Sequence, residues 1–274
     1  MAGKKKRAPL PELPSGVWLF DSHCHLDMDD YNADRLEVMQ RAARAGVSKM
    51  MTIGIDLPSS RAALRLAETN PGIFCAVGIH PHSASGADDA AFMEIRQLAK
   101  SAEVRAVGEI GLDYAKMYCS REEQITAFRC QLELAAELKL PVIIHDRDAH
   151  EETMAILRQA APFKHGGVMH CFSGDLTLAR EVVDLGFYIS LPGVLTFNKT
   201  EALREVAREI PLESLIIETD APFLTPVPYR GKRNEPVYVL YTAWCLAEIR
   251  GITLAEAAAQ TTLNCERLFA LEGK

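Results

Sequence analysis

The chain alternates between short runs of β-type apolar residues and longer segments in which apolar residues recur with the period of a helix. This alternation is typical of α/β folds, and no linker interrupts it. Eight runs predict strands, each separated from the next by roughly one strand-plus-helix unit. The predicted strands cover residues 17–21, 49–53, 73–79, 104–108, 142–145, 167–170, 187–191 and 215–218.

The segments between these strands have the spacing of amphipathic helices. Apolar residues fall at i, i+3 and i+7 in one segment, and they repeat at helical spacing in a later one. The two sets are Leu36, Met39 and Ala43, and Ile125, Phe128, Leu132 and Ala135. We expect each set to form the apolar face of a helix.

Residues that favour helix ends mark the element boundaries. Gly46 and Gly186 stand where a left-handed cap would end a helix just before the next strand. Pro58 suits the first turn of a helix that follows Asp56. Residues 235–271 predict two closing helices. Eight strand-plus-helix units in 274 residues predict an α/β fold of the closed (β/α)₈ TIM-barrel type, with a doubly wound open sheet as the alternative.

The N-terminal segment has a different composition. Residues 4–7 are all basic, and Pro9, Pro11 and Pro14 follow without an apolar run to bury. We expect residues 1–15 to be a flexible leader and residues 16–274 to form one barrel domain. The basic residues suit a nuclear signal or a phosphate contact, but composition favours a solvated tail.

Charge and cysteine usage limit the possible partners. Thirty Lys and Arg against 37 Asp and Glu give a net charge of −7, which excludes binding of polyanions through bulk charge. Seven cysteines without paired spacing argue against a disulfide framework and for a reducing, cytoplasmic compartment. No apolar run reaches the roughly 18 residues that span a bilayer. We therefore expect no membrane association, and no obligate protein partner is evident.

Residues of metal-ligand type concentrate where the predicted strands end. Barrel enzymes build their sites at these strand ends, and five of them supply six such residues. The six are His23, His25, Glu109, His145, His170 and Asp220. The spacing of His23 and His25 lets both imidazoles project to one side of an extended chain. Two other histidines, His150 and His165, fall in a polar helix and a loop, where we expect structural roles.

Six ligands exceed what one tetrahedral ion needs, because a catalytic zinc takes three protein ligands and keeps one position open. We therefore expect two divalent ions, with Glu109 as the carboxylate shared between them. His23, His25 and Asp220 would complete one ion, and His145 and His170 the other. Two adjacent cations neutralise charge that builds on a phosphoryl or carbonyl oxygen, which predicts a hydrolase. The ligand types allow Zn²⁺ or Mn²⁺, and phosphoryl transfer favours Mg²⁺.

The chain also resembles a known family through seven motifs in order. They are D-S-H-C-H-L-D, G-I-H-P-H, G-E-I-G-L-D-Y, I-I-H-D-R-D-A, H-C-F-S-G, E-T-D-A-P-F-L and R-G-K-R-N-E-P, between residues 21 and 236. These motifs are similar to those of the TatD family of metal-dependent deoxyribonucleases, whose barrel is amidohydrolase-like. The resemblance implies a site for two divalent ions, cytoplasmic location and hydrolysis of DNA phosphodiesters, often as a 3′–5′ exonuclease on single strands. It implies the same six ligands and shared Glu109, and it places His80 on the substrate side.

We expect three further roles. By resemblance to amidohydrolase-like barrels, Asp220 should accept the proton of the attacking water and also contact an ion. Arg230, Lys232 and Arg233 lie in an acid-free loop after the eighth strand, so this loop should overhang the site and grip phosphates, opposite His80. Tyr114 either stacks on a base or caps the barrel.

Two other functional classes remain open. One is a different metal hydrolase on the same barrel, such as an aminoacyl-tRNA deacylase, a cyclic-amide hydrolase or a phosphotriesterase. Relatives that bridge two ions through a modified lysine need Lys near the end of the fourth strand, where this chain has Glu109. The other class is a non-catalytic metal-binding protein, which would have to explain a complete ligand set.

Overall fold

A computed structural model describes residues 9–272 and shows eight parallel strands paired in chain order. They are β1 (Leu19–Cys24), β2 (Val47–Ile53), β3 (Ile73–Val77), β4 (Val104–Asp113), β5 (Val142–Arg147), β6 (Gly167–Met169), β7 (Phe187–Leu191) and β8 (Leu215–Ile217). Cys24 at the end of β1 bridges to Ala221 just beyond β8, so the sheet returns to its first strand. The predicted TIM barrel is confirmed, and the open doubly wound sheet is excluded.

Helices connect the successive strands on the outside of the barrel. In the described part of the chain they are α1 (Arg35–Arg44), α2 (Leu57–Thr69), α3 (Asp89–Leu98), α4 (Arg121–Leu138), α5 (His150–Ala160), α6 (Leu176–Asp184), α7 (Glu201–Glu209), α8 (Val239–Arg250) and α9 (Leu254–Leu268). The last two follow β8, as the two predicted closing helices should. Within residues 9–272 no single helix is long and apolar enough to cross a membrane. The helices α8 and α9 pass the same test of length and composition when they are taken as a pair, but the chain bends sharply between them.

The predicted helix ends agree with the structure. Gly46 and Gly186 have φ values of 91° and 83°, in the left-handed region that glycine adopts at low cost. Asp56 caps α2 by accepting a hydrogen bond from the Ser59 amide at 2.8 Å, and Pro58 lies in the first turn. These residues therefore end one element and begin the next where the sequence indicates.

The predicted apolar face is right for α4 and wrong for α1. In α4, Phe128, Leu132 and Ala135 are buried and Ile125 packs against the core. In α1, however, Leu36 is 57% exposed, and the buried residues are Val38, Met39 and Ala42. Apolar residues cover about half the circumference of α1, so spacing alone allows two orientations and packing against the barrel selects one.

Two clusters of apolar side chains make up most of the core. Alternate strand residues such as Phe20, Ile143 and Val168 form one cluster with the last turn of α9 and the residues after it, including Phe269. The other strand positions pack against the helices in a larger cluster. Since strand side chains alternate between faces, the first cluster fills the barrel interior and the second lies between sheet and helices. The barrel interior thus leaves room for polar groups only beyond this apolar layer, toward the carboxyl ends of the strands.

The second half of the predicted leader, residues 9–15, contacts the barrel through two leucines. Leu10 and Leu13 are partly buried against the core, and Leu13 packs close to Gly46. The proline-rich composition of this segment did not predict the apolar contact that the two leucines make. The basic residues 4–7 lie outside the described residues.

Candidate metal centre

The carboxyl ends of the strands bring histidines and carboxylates together, beyond the apolar layer that fills the barrel interior. They are His23 on β1 and His25 after it, His80 and His82 after β3, Glu109 and Asp113 on β4, His145 on β5, His170 after β6, and Glu218 and Asp220 after β8. All six residues predicted as ligands belong to this set. His150 and His165 lie outside it, and His150 pairs with Asp146 at 2.6 Å.

Strand β4 positions the central carboxylate because it runs to Asp113 rather than ending at residue 108. Its extension pairs with β5, and Gly111 lies opposite His145 in this register. A Cβ atom at Gly111 would lie 1.9 Å from the His145 carbonyl oxygen, and φ at Gly111 is 142°. Only glycine allows β4 and β5 to approach this closely. The approach brings Glu109 and Asp113 to either side of the His145 ring.

Glu109 is the centre of the cluster, with only 3% of its surface exposed. Its Oε1 lies 2.7 Å from His145 Nδ1 and 2.9 Å from His170 Nε2. Its Oε2 lies on the other side, 3.4 Å from His23 Nε2. The two oxygens of one carboxylate therefore face two different sets of imidazoles.

Asp220 lies beside His23 and His25, on the same side of the cluster as Glu109 Oε2. Its Oδ1 is 3.4 Å from His25 Nε2 and 3.8 Å from His23 Nε2. The backbone amide of Asp220 donates to the His23 carbonyl at 2.9 Å, and the His25 amide donates to the Ala221 carbonyl at 2.7 Å. These bonds close the barrel between β1 and β8, so the closure itself aligns Asp220 with both histidines. Asp220 has φ of 54°, a left-handed conformation that Asp tolerates better than most residues.

Outer partners orient the imidazole rings. His25 Nδ1 lies 3.1 Å from the Ile53 carbonyl oxygen, which can only accept, so Nδ1 carries a proton and Nε2 is the nitrogen directed at Asp220. His170 Nδ1 faces Glu218 Oε1 at 3.3 Å, and the other oxygen of Glu218 accepts from the Ser190 hydroxyl at 2.5 Å. In both rings the inward nitrogen is left for a ligand at the centre.

His145 has a carboxylate partner on each side of its ring. Nδ1 faces Glu109, and Nε2 lies 3.2 Å from Asp113 Oδ2. The same Asp113 oxygen is 2.8 Å from His82 Nε2, and Asp113 Oδ1 accepts from the Lys116 amide at 2.8 Å. Asp113 thus holds His145 with Nδ1 directed inward.

The carboxylates of the centre are ionised at neutral pH. Burial would raise the pKa of Glu109, but His170 and the other histidines around it hold that pKa well below its usual value. Burial would also raise the pKa of Asp220, yet its contact with His25 lowers it. The same contact overcomes the effect of burial on His25 and raises its pKa to about 9. The centre therefore offers a buried carboxylate, Glu109, and a largely buried one, Asp220, which positive charge would stabilise.

The donor set fits divalent cations. Both ring nitrogens of His23 are buried and make no hydrogen bond to any described group, which is unfavourable for an imidazole without another ligand. Ligand atoms about 2.1 Å from a tetrahedral ion lie about 3.4 Å from each other. His23 and Glu109, and His25 and Asp220, have this separation, 3.4 Å in each pair. Imidazole nitrogens and carboxylate oxygens suit Zn²⁺ and Mn²⁺.

His80 belongs to the cluster but differs from the ligand histidines. It is 7% exposed, and its Nε2 lies 3.6 Å from Glu109 Oε1. Its Nδ1 accepts a hydrogen bond from the His82 amide at 3.0 Å, and burial lowers its pKa well below the usual value. A neutral His80 with Nδ1 as acceptor carries its proton on Nε2. This tautomer donates a hydrogen bond into the centre rather than a lone pair.

The two arginines expected on the substrate side, Arg230 and Arg233, contact other side chains of the protein. The Arg233 guanidinium pairs with Asp34 at 2.7 Å and with Glu235 at 3.4 Å, and it covers the Tyr31 ring. Arg230 is exposed, with its guanidinium 4.0 Å from the centroid of the Phe197 ring.

Tyr114 contacts two side chains outside the metal centre. Its hydroxyl bonds to Glu152, and the Arg121 guanidinium covers its ring at 4.1 Å. The structure therefore does not bring Arg233 or Tyr114 to the centre.

Sequence reasoning missed three members of the cluster. Glu218 and Asp113 were visible at or near strand ends but were not recognised as partners of ligand histidines. His82 stands two residues after His80 and meets Asp113 only through the fold. The available signal was the clustering of acids and histidines within the same motifs, G-I-H-P-H, G-E-I-G-L-D-Y and E-T-D-A-P-F-L.

Comparisons with known proteins agree with this centre. A family model described as TatD related DNase matches residues 20–270. An uncharacterized metal-dependent hydrolase, YabD, from Bacillus subtilis is 42% identical over 251 residues, which is 92% of this chain and 98% of that protein. A protein from Klebsiella pneumoniae named 3′-5′ ssDNA/RNA exonuclease TatD is 38% identical over 259 residues, 93% of this chain and 98% of that protein.

A solved structure extends the match to the fold. The crystal structure of YJJV, a TatD homolog from Escherichia coli, has a TM-score of 0.85 and 32% identity, and the alignment covers 92% of this chain and 98% of that one. The resemblance drawn from the seven motifs is thereby confirmed. The chain belongs to the TatD family of metal-dependent hydrolases.

Proposed function

We propose that this protein hydrolyses phosphodiester bonds of single-stranded DNA from the 3′ end, using two divalent cations bridged by Glu109. The observation that carries the proposal is the division of the Glu109 oxygens between two sets of imidazoles, 2.7 Å from His145 on one side and 3.4 Å from His23 on the other. The name of the Klebsiella pneumoniae relative supports the substrate and the direction.

The residues of the centre divide into two ligand sets. His23, His25 and Asp220 would hold one cation with Glu109, and His145 Nδ1 and His170 Nε2 would hold the other. Bound Zn²⁺, Mn²⁺ or Mg²⁺ would polarise the phosphoryl oxygen and lower the pKa of the attacking water. Glu109 acts by fixing the separation of the two sets, because it is buried between them.

Asp220 is positioned to take the proton of the attacking water. Its side chain is 15% exposed, compared with 4% for Glu109, so water reaches it more readily. Its lowered pKa keeps it a carboxylate at neutral pH. His80 complements it, because its Nε2 hydrogen is available to a phosphoryl oxygen or to the leaving oxygen. Proton acceptor and donor thus stand on opposite sides of Glu109.

The decisive experiment compares substrates on one preparation. The protein is stripped of metal, reloaded with Mn²⁺, Zn²⁺ or Mg²⁺, and assayed on single-stranded DNA labelled at the 5′ or the 3′ end. RNA, an aminoacyl-tRNA and a phosphotriester serve as alternatives. We expect a ladder of 5′-labelled products that shortens from the 3′ end. Faster release of the amino acid or hydrolysis of the triester would favour the other metal hydrolases instead.

A matched pair of variants tests the role of Asp220. Asp220→Asn should leave KM largely unchanged and lower kcat by about 10²–10⁴-fold or more, because a positioned base and a ligand charge are lost together. Asp148→Asn is the control, since Asp148 is exposed and has the same φ of 54°. Near-normal turnover of metal-replete Asp220→Asn would refute the assignment.

We also infer that the reaction takes place in the cytoplasm. All seven cysteines are free, and five of them are buried. Thiols of this kind suit a reducing compartment.

A further inference from the structure

Aromatic rings form a continuous row across the metal centre. Neighbouring rings along the row have centroids between 3.8 and 6.1 Å apart. In order they are Phe223, His25, His23, His170, His145, His80, His82 and Tyr118. The two end rings lie on different loops, Phe223 after β8 and Tyr118 after β4. They therefore flank the centre on opposite sides.

The two end rings are exposed although the row between them is mostly buried. Phe223 is 48% exposed and Tyr118 is 69% exposed, whereas His23 and His170 are 1% and 5% exposed. Each end ring meets its neighbouring imidazole at a steep angle, 68° for Phe223 and 88° for Tyr118. Such edge-to-face contacts cover little of a ring, so aromatic surface remains open beside the reacting centre.

Three arginines in and beside the surrounding loops contact other side chains of the protein. The chain has a net charge of −7, and the Arg233 guanidinium is paired with two carboxylates. Arg230 rests on the Phe197 ring, and Arg121 rests on Tyr114. A contact to the bases that does not depend on these arginines would add to the binding of a nucleic acid strand. Stacking of bases on aromatic rings supplies one, and it works with any base.

We propose that Phe223 and Tyr118 form a nucleobase clamp, in which the two bases next to the scissile phosphodiester each stack on one of these rings. The proposal rests on the phosphodiesterase function proposed above and adds its substrate subsites. A base in a duplex has both faces covered by its neighbours, so the clamp accepts only unstacked, single-stranded ends. It also tolerates RNA and DNA alike, because every base has an aromatic face.

The first test measures stacking without catalysis. Short single-stranded DNA carries 2-aminopurine at the terminal or the penultimate position, and its fluorescence falls when the base stacks. With metal-loaded protein we expect quenching at both positions. Phe223→Ala should remove quenching at one position and Tyr118→Ala at the other, with affinity lowered about 10-fold to 100-fold. Trp244→Ala is the control, because Trp244 is 43% exposed on α8, away from the row.

The second test replaces a base by an abasic nucleotide. In the parent protein each abasic position should raise KM about 10-fold or more. In Phe223→Ala or Tyr118→Ala, the abasic nucleotide at the position that has lost its ring should have no further effect, so the two changes should not be additive. Phe223→Leu keeps apolar bulk beside His25, and metal content measured on each variant shows whether the centre is intact.

The outcomes separate this inference from the proposed function. Hydrolysis of DNA without quenching, or with unchanged KM in both ring variants, overturns the clamp and leaves the phosphodiesterase standing. Quenching that depends on both rings, without hydrolysis of any nucleic acid, overturns the phosphodiesterase and leaves the binding site. If Phe223→Leu binds and cuts like the parent while Phe223→Ala loses metal, Phe223 is a packing residue and the clamp is wrong.

Discussion

Replacing Asp113 by Asn should selectively weaken the binding of one of the two proposed metal ions. One oxygen of Asp113 faces His145 Nε2 at 3.2 Å and His82 Nε2 at 2.8 Å, and the other accepts from the Lys116 amide at 2.8 Å. Asn has the same shape but only one acceptor oxygen. Keeping the Lys116 bond would turn its NH₂ group toward both rings, and His145 would lose the partner that holds Nδ1 inward.

The size of the effect follows from the burial of the pair. Asp113 is fully buried, and burial would raise its pKa, but the contact with His145 keeps the pKa well below its usual value. The variant therefore loses a charge-assisted contact to His145, a proposed metal ligand. Loss of such an outer partner costs about 10–100-fold in metal affinity, or about 1.4–2.7 kcal/mol.

Calorimetric titration of metal-free protein with Mn²⁺ measures this directly. In Asp113→Asn one of two binding constants should fall by about 10–100-fold, while the constant for the ion at His23, His25 and Asp220 stays unchanged. Tyr114→Phe is the control, because the Tyr114 hydroxyl bonds to Glu152 outside the centre. Two unchanged constants, or equal losses in both, would refute the role assigned to Asp113.

Three further predictions concern the shared ligand, the cations and the loop after β8. Glu109→Ala should weaken both ions, and a titration in which one ion is lost and the other is unchanged would refute bridging. Removing metal from protein saturated at about 100 times Kd should lower Tm by about 10–20 °C in calorimetry, because each of the two bound ions adds about 2.7 kcal/mol; an unchanged Tm would contradict the site. Arg233→Gln should lower the free energy of unfolding by at most about 1 kcal/mol in urea denaturation at pH 7, leaving the salt dependence of KM unchanged. This loss of unfolding free energy should become smaller as pH falls from 3.8 toward 2. Arg233 lowers the pKa of Asp34 from 3.8 to about 2, and the stabilisation disappears when Asp34 is protonated. A loss that persists at low pH, or a weaker salt dependence of KM, would contradict this role.

The sequence predicts the barrel and the convergence of the candidate ligands, because both depend on repeating or local features. Parallel strands bring their carboxyl ends to one face, so polar residues at successive strand ends must converge. His23, Glu109 and His170 could be placed together for this reason. The helix ends at Gly46 and Gly186 follow equally directly from backbone preferences.

The features that the sequence did not predict depend on contacts between distant segments. Asp113 and His82 pair only because β4 extends past residue 108, and Gly111 makes that extension possible. Arg233 lies in a basic loop by sequence, but Asp34, far away in the chain, neutralises it. Leu36 is exposed because the barrel surface, rather than the apolar spacing of α1, decides which face is buried.

The number of cations required for hydrolysis tests the account most directly. Metal-free protein is titrated with Mn²⁺ while the hydrolysis of 5′-labelled single-stranded DNA is followed in the same samples. Activity should rise mainly with the second equivalent and level off at two per chain, and Glu109→Ala should show neither the rise nor the plateau at these concentrations. Full activity at one equivalent, or full activity of Glu109→Ala at two, would contradict a centre built on a shared Glu109.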